Sequence, residues 1–328
     1  VKLVKYYTIG LVFCLLIYSL YGCTSNESFE WGFIDKTGTI VIEPQYANTT
    51  GFYEGLAGVQ VGDTETGKWG FINFSGEIVI EPEYDFAYYF NEGYAPIRVG
   101  DEEQGLWGYI NQKGEITIKP QYSYTRGFSE GLAPVRIETS ENVYQWGFIN
   151  TSGDMVIEPK YYDASIFRDG LAPVYISNES YNGWAYIDQT GEIVLQTDYY
   201  IVSIFSEGLA NIKNGDEESG AWGYINTKGE VIIEPQFDVY AHYFSDGLAK
   251  YVAEVISDEQ AMWGFIDQRG KVVIEPKYYN AGEFIDGLAP VNIDGNWGYI
   301  NKTGENVIEA QFMAAGNFGE GLAPVIQK

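Results

Sequence analysis

The chain has little of what most metal, redox and nucleic-acid sites are built from. One histidine and two cysteines in 328 residues exclude a Cys/His zinc site, a Cys₄ cluster and a disulfide framework. Cations are scarce as well: 19 Lys and Arg stand against 46 Asp and Glu, for a formal charge of −27. A surface this negative repels phosphate backbones and anionic lipid alike, so no nucleic-acid partner is expected. No Walker loop, GxSxG elbow, HExxH motif or dinucleotide fingerprint occurs, and no cofactor is expected. What the chain has in quantity is apolar and aromatic, 45% and 16% of its residues. That is too much for disorder and enough for a large folded body.

The first 23 residues read as an address. Lys2 and Lys5 precede an apolar stretch from Ile9 to Leu20 that closes in Leu20-Tyr21-Gly22-Cys23, after which the chain turns polar. Residues 1–22 thus have the pattern of a secretory signal. The tetrapeptide resembles the lipobox of bacterial lipoproteins, whose cysteine becomes the diacylated first residue. That resemblance implies a lipidated Cys23, a short linker over 23–30, and a body held on the extracytoplasmic side of a bacterial cell membrane or outer membrane. The alternative is an uncleaved anchor, but the apolar core is short against the ~20 residues that span a bilayer. Cleavage before Cys23 would remove Lys2, Lys5 and Cys14 but no acid, taking the charge to −29 and leaving no partner for a disulfide.

Eight repeats occupy the rest, residues 31–328, as one domain. All eight tryptophans (Trp31, Trp69, Trp107, Trp146, Trp184, Trp222, Trp263 and Trp297) stand in one context, and seven precede a glycine; Trp184 precedes Ala185. Each opens a WG(F/Y)I(D/N) run, then a turn glycine, an apolar strand that usually ends in Glu-Pro, a recurrent Phe (Phe52 to Phe318), an acid-Gly pair, and Leu-Ala-Pro-Val or a variant of it. These residues resemble the WG-repeat family of bacterial proteins from Trp31 to Val325. The resemblance implies an architectural repeat and brings no catalytic residues with it.

Within one unit, Trp222-Gly223-Tyr224-Ile225 alternates faces as a strand does. Asn226 to Gly229 is a turn signal, Val231-Ile232-Ile233 is the returning strand, and Pro235 is expected to end it. Asp294-Gly295 pairs the strands on either side as a hairpin. Four short strands in about 38 residues suit a propeller blade. The chain begins with a third and fourth strand and finishes with a first and second, so both termini would share one blade of an eight-bladed, all-β propeller. An open β-solenoid or superhelical array is the alternative.

A residue present in every unit serves what every unit must do, so the tryptophans are expected to pack between sheets rather than form a ligand ladder. The acid before each glycine is expected to accept backbone N–H bonds in a turn. Function belongs where units differ. The loops around Asp63, around Asp101, Glu102 and Glu103, and around Asp216, Glu217 and Glu218 are rich in oxygen but lack EF-hand spacing, so they read as acidic surface turns before calcium sites. In a propeller they share a face with connections containing Tyr88, Tyr89, Tyr124, Tyr162, Tyr200, Tyr240, Tyr243 and Tyr279. An acidic, tyrosine-rich face suits a protein surface or an envelope polysaccharide, unless those rings fill the blade interfaces instead. The unit at Trp184 departs most, with Ala185 for glycine and Gln196-Thr197 for Glu-Pro. His242 reads as an ordinary loop residue. The expected function is a non-catalytic, lipid-anchored binding scaffold. The alternatives are a glycan hydrolase with two carboxylates ~5–10 Å apart at the centre and a calcium-stiffened adhesin.

Overall fold

The computed structural model describes residues 29–141, 143–257 and 260–328; the signal segment and Cys23 lie outside them. Among the described residues every strand belongs to one of eight four-stranded antiparallel sheets, the blades of a closed propeller. Blade 2 shows the plan: an inner strand Phe86–Ala87, then Tyr94–Val99, Leu106–Asn111 and an outer strand Ile116–Tyr122, each beside the next. We number the blades so that blade 1 begins at Asn48. Blade 8 joins the termini, with Trp31–Asp35 pairing Leu322–Ile326 over five residues. The phase of the chain ends is therefore the ring closure itself, and the open array is set aside.

The hydrophobic core is not inside any blade. Eight apolar clusters each combine two neighbouring blades, as where Trp107, Tyr109 and Ile118 of blade 2 meet Phe128, Ala133 and Val135 of blade 3. A sheet of four short strands has two faces to bury and no layer of its own to cover them, so neighbours must do it. The recurring aromatics form the joint. The residue two after each tryptophan meets the recurrent Phe of the next blade, from Phe33 against Phe52 to Tyr299 against Phe318, with centroids 4.7–5.1 Å apart around the circle. Such tilted and edge contacts each contribute ~0.5–1.5 kcal/mol beyond burial. Six tryptophans are buried and Trp31 and Trp263 half-buried, as expected for packing.

The glycine after each tryptophan serves its own blade. A Cβ on Gly108 would lie 2.4 Å from the Ile118 carbonyl oxygen and 2.6 Å from the Pro120 nitrogen. The outer strand bulges inward there, so Trp107 pairs with Tyr122 but Tyr109 with Ile118. Proline does not end this strand, contrary to expectation; the strand crosses the bulge and pairs again beyond it. Blade 4 explains its own exception. Ala185 pairs with Gln196 and Tyr186 with Leu195 in regular register, and the outer strand stops at Gln196. Without the Glu-Pro bulge there is room for a methyl, and the Tyr181 hydroxyl fills the gap by donating to Trp184 O or Thr197 O, at 2.5 and 2.7 Å.

The acid-Gly turns close a second circle. Each acid adopts positive φ, as Glu92 does at 53°, and its carboxylate accepts the turn N–H of the next blade. Glu54 takes Gly93, Glu92 takes Gly131, Glu130 takes Gly170, Asp169 takes Gly208, Glu207 takes Gly247, Asp246 takes Gly287, and Asp286 takes Gly321. Glu320 then takes Gly55 at 2.8 Å, joining last blade to first. Gly108→Ala should destabilise by ~1–3 kcal/mol through the forced backbone shift, while Ala185→Gly should cost no more than ~1 kcal/mol. Urea unfolding of both variants checks the pairing of glycine with bulge.

Candidate functional site on the propeller axis

The recurrent Phe, at or just beyond each inner strand, is buried in a blade interface, and the residues on either side of it vary from blade to blade. Before the Phe these are Gly51, Tyr89, Gly127, Ile166, Ile204, Tyr243, Glu283 and Asn317; after it they are Tyr53, Asn91, Ser129, Arg168, Ser206, Ser245, Ile285 and Gly319. Burial pushes the Tyr53 hydroxyl far above the usual phenol range, reinforced by Tyr89 of blade 2 and Glu283 of blade 7 and opposed by Arg168 of blade 4. Tyr243 of blade 6 is raised by burial and senses Glu283, Tyr53, Tyr89 and Arg168. Tyr53 and Tyr243 thus sense charged and phenolic groups of blades other than their own.

One part of the axis is a buried ionic cluster. Lys250 stands where five other units carry the proline of Leu-Ala-Pro-Val. Its Nζ lies 2.9 Å from Glu283 Oε1, donates to Ala281 O and sits over the Trp263 ring. Asn317 of blade 8 donates to Glu283 Oε2 at 2.5 Å, and His242 Nδ1 is 3.3 Å from Oε1. Burial works to raise the Glu283 carboxyl, but the Lys250 ammonium, His242 and the bonds from Lys250 and Asn317 outweigh it and hold it down at about 2. Burial and the Lys250 charge drive the His242 imidazole down to about 3 against the pull of Glu283. At neutral pH the cluster is an ammonium, a carboxylate and a neutral imidazole, with both carboxylate oxygens engaged. A second buried acid, Asp163 of blade 4, lies 3.5 Å from Arg126 Nη2; burial raises its carboxyl and Arg126 opposes the rise.

The residues singled out from sequence divide into three groups. Tyr88 stacks on Trp107, with its hydroxyl 2.8 Å from that of Tyr124. Tyr124 packs edge-on between Trp107 and Trp146, and Tyr240 does so against Trp222 and Trp263. These three fill blade interfaces. Tyr89 and Tyr243 flank the recurrent Phe of their blades: Tyr89 stacks on Tyr53 at 4.3 Å and Tyr243 lies tilted against His242 at 4.0 Å. Asp101, Glu102 and Glu103, with Asp216, Glu217 and Glu218, lie exposed on turns of blades 2 and 5. Asp101 Oδ1 accepts Glu103 N and Gln104 N, and Asp216 Oδ1 accepts Glu218 N and Ser219 N, so both aspartates serve their own turns. Among the described residues no cluster of three His, Cys, Asp or Glu is placed to hold a metal ion.

His242 lies, as expected, in the connection just beyond the inner strand Tyr240–Ala241, half-buried, with its backbone N–H donating to Lys250 O. Lys250, Glu283, Tyr53 and Arg168 were missed because each is a single departure in a repeat column. That departure was the available signal: Lys250 for proline, and a charged or bulky side chain next to the recurrent Phe.

The family model described as WG containing repeat matches residues 31–64, 69–102, 107–138, 146–179, 184–217, 222–252, 263–297 and 297–328. No curated protein matches. Among solved structures, a eukaryotic initiation factor is similar over 87% of this chain and 85% of its own, with TM-score 0.53 and 12% identity. A prolyl endopeptidase is similar over 86% of this chain, with TM-score 0.57 and 10% identity; the chain spans 50% of that protein. The β-propeller domain of the Trilobed protease from Pyrococcus furiosus is similar over 81% of this chain and 96% of its own, with TM-score 0.50 and 9% identity. At such identities the likeness establishes the propeller fold alone.

Lys250→Pro should cost ~3–5 kcal/mol, because it leaves Glu283 buried and unpaired. Adding Glu283→Gln should recover most of that loss in a double-mutant cycle read by urea unfolding. The pH dependence of this cluster has one sign. The unfolded chain binds protons at His242 from 6.5 and at Glu283 from 4.5, whereas the folded chain binds them only near 3 and 2. The cluster's contribution to stability is therefore complete above about pH 6.5 and falls on acidification, first through the histidine. In His242→Gln the loss between about pH 6.5 and 5 should disappear in chemical denaturation.

Proposed function

We infer the function from the family to which this chain belongs, the WG-containing repeat proteins, and from which side chains the ring leaves unoccupied. The chain is a non-catalytic scaffold that binds a protein or an envelope polysaccharide, held on the extracytoplasmic side of a bacterial membrane by acyl chains on Cys23. The observation that carries this reading is a division among residues. Those that recur in every blade are engaged with the next blade or with their own turn, as the eight aromatic pairs and the carboxylate circle show. Many that vary, such as Glu102, Glu103, Glu217 and Glu218, stand on exposed loops instead. Residues that hold the architecture are thus separated from residues that can change with a partner.

Two features favour binding over hydrolysis. Glu283, the axial carboxylate, has both oxygens occupied by Lys250 and Asn317, and Asp163 comes from a blade three places away and faces Arg126. A hydrolytic pair needs one carboxyl free to give a proton and another free to attack or to activate water. The exposed Glu102, Glu103, Glu217 and Glu218 suit a basic protein surface, with electrostatics that steer encounter more than they add affinity.

Cys23→Ser should abolish incorporation of labelled palmitate and move the protein from membrane to soluble fractions. Replacing Glu102, Glu103, Glu217 and Glu218 with serine should lower cross-linked capture of envelope proteins several-fold without changing the melting temperature. Unaltered capture would place the partner surface elsewhere.

A further inference from the structure

The outer strand of every blade is an edge with exposed valine or isoleucine, such as Val79, Val194 and Ile232. Seven blades protect that edge in the same way. Each places a charge on the strand, Lys119 in blade 2 and glutamate in the other six, and each has a bulge beside its tryptophan. In six of them a proline follows the charge. Charge, bulge and proline each hinder an edge from pairing with another chain. Blade 4 lacks all three: Gln196-Thr197 takes the place of Glu-Pro, and Ala185 and Tyr186 pair consecutively with Gln196 and Leu195.

The backbone groups this edge leaves free follow from its hydrogen bonds. Thr197 N donates to Trp184 O at 3.0 Å, so alternation turns the N–H and C=O of Leu195 toward the blade and those of Val194 and Gln196 outward. Ile193 and Val194 are 47% and 53% exposed. Gln196 lies opposite Ala185, which packs into the apolar cluster shared with blade 3, so the side chains of Val194 and Gln196 look toward blade 3. On that side the seam between the blades is open. A cavity of about 420 Å³ lies against the start of the edge, lined by Glu192, Ile193 and Ile176 of blade 4 and by Tyr161 and Lys160 of blade 3. The Lys160 ammonium rests over the Tyr161 ring at 5.2 Å. Two exposed acids bracket the edge, Glu192 before it and Asp198 after it, and neither forms an ion pair among the described residues.

We propose that blade 4 takes a fifth strand from a partner protein, an extended segment of alternating apolar residues with lysine or arginine at its ends, laid along Ile193–Gln196. The outward backbone groups of Val194 and Gln196 supply its hydrogen bonds, and the side chains it turns toward blade 3 enter the open seam. Its basic ends meet Glu192 and Asp198. The same two acids reject a second copy of this chain. Antiparallel self-pairing would set Glu192 of one copy against Asp198 of the other, parallel self-pairing would bring identical acids together, and each body carries a charge of −27. Like charges facing each other across strands oppose pairing. This rests on the protein-binding reading and names a partner segment and a place for it that are separate from the acidic loops.

The test is fluorescence anisotropy of labelled heptapeptides with the intact folded protein at low salt. The probe alternates valine and threonine between terminal lysines, and its control carries glutamate at both ends. The lysine-ended peptide should bind saturably and at least ~5-fold more tightly than the control, the effect of two exposed charge contacts. Val194→Pro removes an outward N–H and no bond within the blade, and Val194→Lys sets a like charge beside the peptide. Each should weaken binding at least ~5-fold, Val194→Lys with an unchanged melting temperature, while Ile232→Lys at the matching place in blade 5 should leave it within about twofold of the parent. The protein should sediment as a monomer throughout. No saturable binding, equal binding of the two peptides, a Val194→Lys affinity within twofold of the parent, or a dimer that Val194→Lys dissociates would overturn the proposal. The four-serine loop variant should bind the peptide as the parent does, so failure at the edge would leave capture by the loops standing, and loss of loop-dependent capture would leave the edge site standing.

Discussion

The contact between one blade and the next is the interaction on which the molecule depends, because apolar surface is buried there and not within a blade. A four-stranded sheet built of strands of two to ten residues exposes two faces and cannot cover either. Every blade therefore contributes half of two cores, and each half is worthless without its neighbour. An open row of such blades would end in two bare faces. Closing the row removes both, which is why blade 8 takes strands from both termini and why Glu320 reaches Gly55 as the other acids reach their neighbours. Closure also makes the chain ends part of the cooperative unit, so that Leu322–Ile326 is as fully enclosed as any internal strand.

The Trp-Gly and Glu-Pro signatures are two halves of one device. The bulge at Glu-Pro needs backbone to approach backbone, and only a residue without Cβ permits it. Blade 4 demonstrates the dependence by losing both halves together, Ala185 with Gln196-Thr197, and with them the irregularity beside the tryptophan, so that Ala185 and Tyr186 pair consecutively with Gln196 and Leu195. The bulge has a second effect at the rim. The outer strand is an unpaired edge bearing exposed Ile and Val, such as Ile78 and Val79, the kind of edge on which chains aggregate. A proline without an N–H and a local kink blunt it in six blades; blade 7 keeps the bulge with Ala310 in the proline place.

The ring was legible in the sequence and the axis was not, for a physical reason. A contact made eight times writes a period, so the packing tryptophans, the recurrent Phe and the phase of the termini could be read without coordinates. The carboxylate circle was half legible: an acid accepting N–H bonds at a turn was expected, but the donor is the following blade's turn, 35–41 residues away for most pairs. The axial groups are made once. Tyr53, Tyr89, Arg168, Tyr243 and Glu283 come from five blades, and each looks like an isolated deviation in its own repeat. The tyrosines of the inner strands show the same limit. Tyr88 and Tyr89 are adjacent in sequence, yet one stacks on an indole and the other on Tyr53 of the preceding blade.

Lys250, Glu283 and His242 raise the question of why a propeller would bury an ion cluster where other blades place proline. Such a cluster is a weak source of stability, since desolvation consumes much of the Coulomb attraction. Its geometry offers a better account. Lys250 and Glu283 lie on adjacent blades, Asn317 on the next, and His242 packs against Tyr243. The cluster thus fixes the orientation of inner strands on one side of the axis, where the recurrent apolar packing behind them cannot select a polar rotamer. Proline in that place would supply no such directional contact.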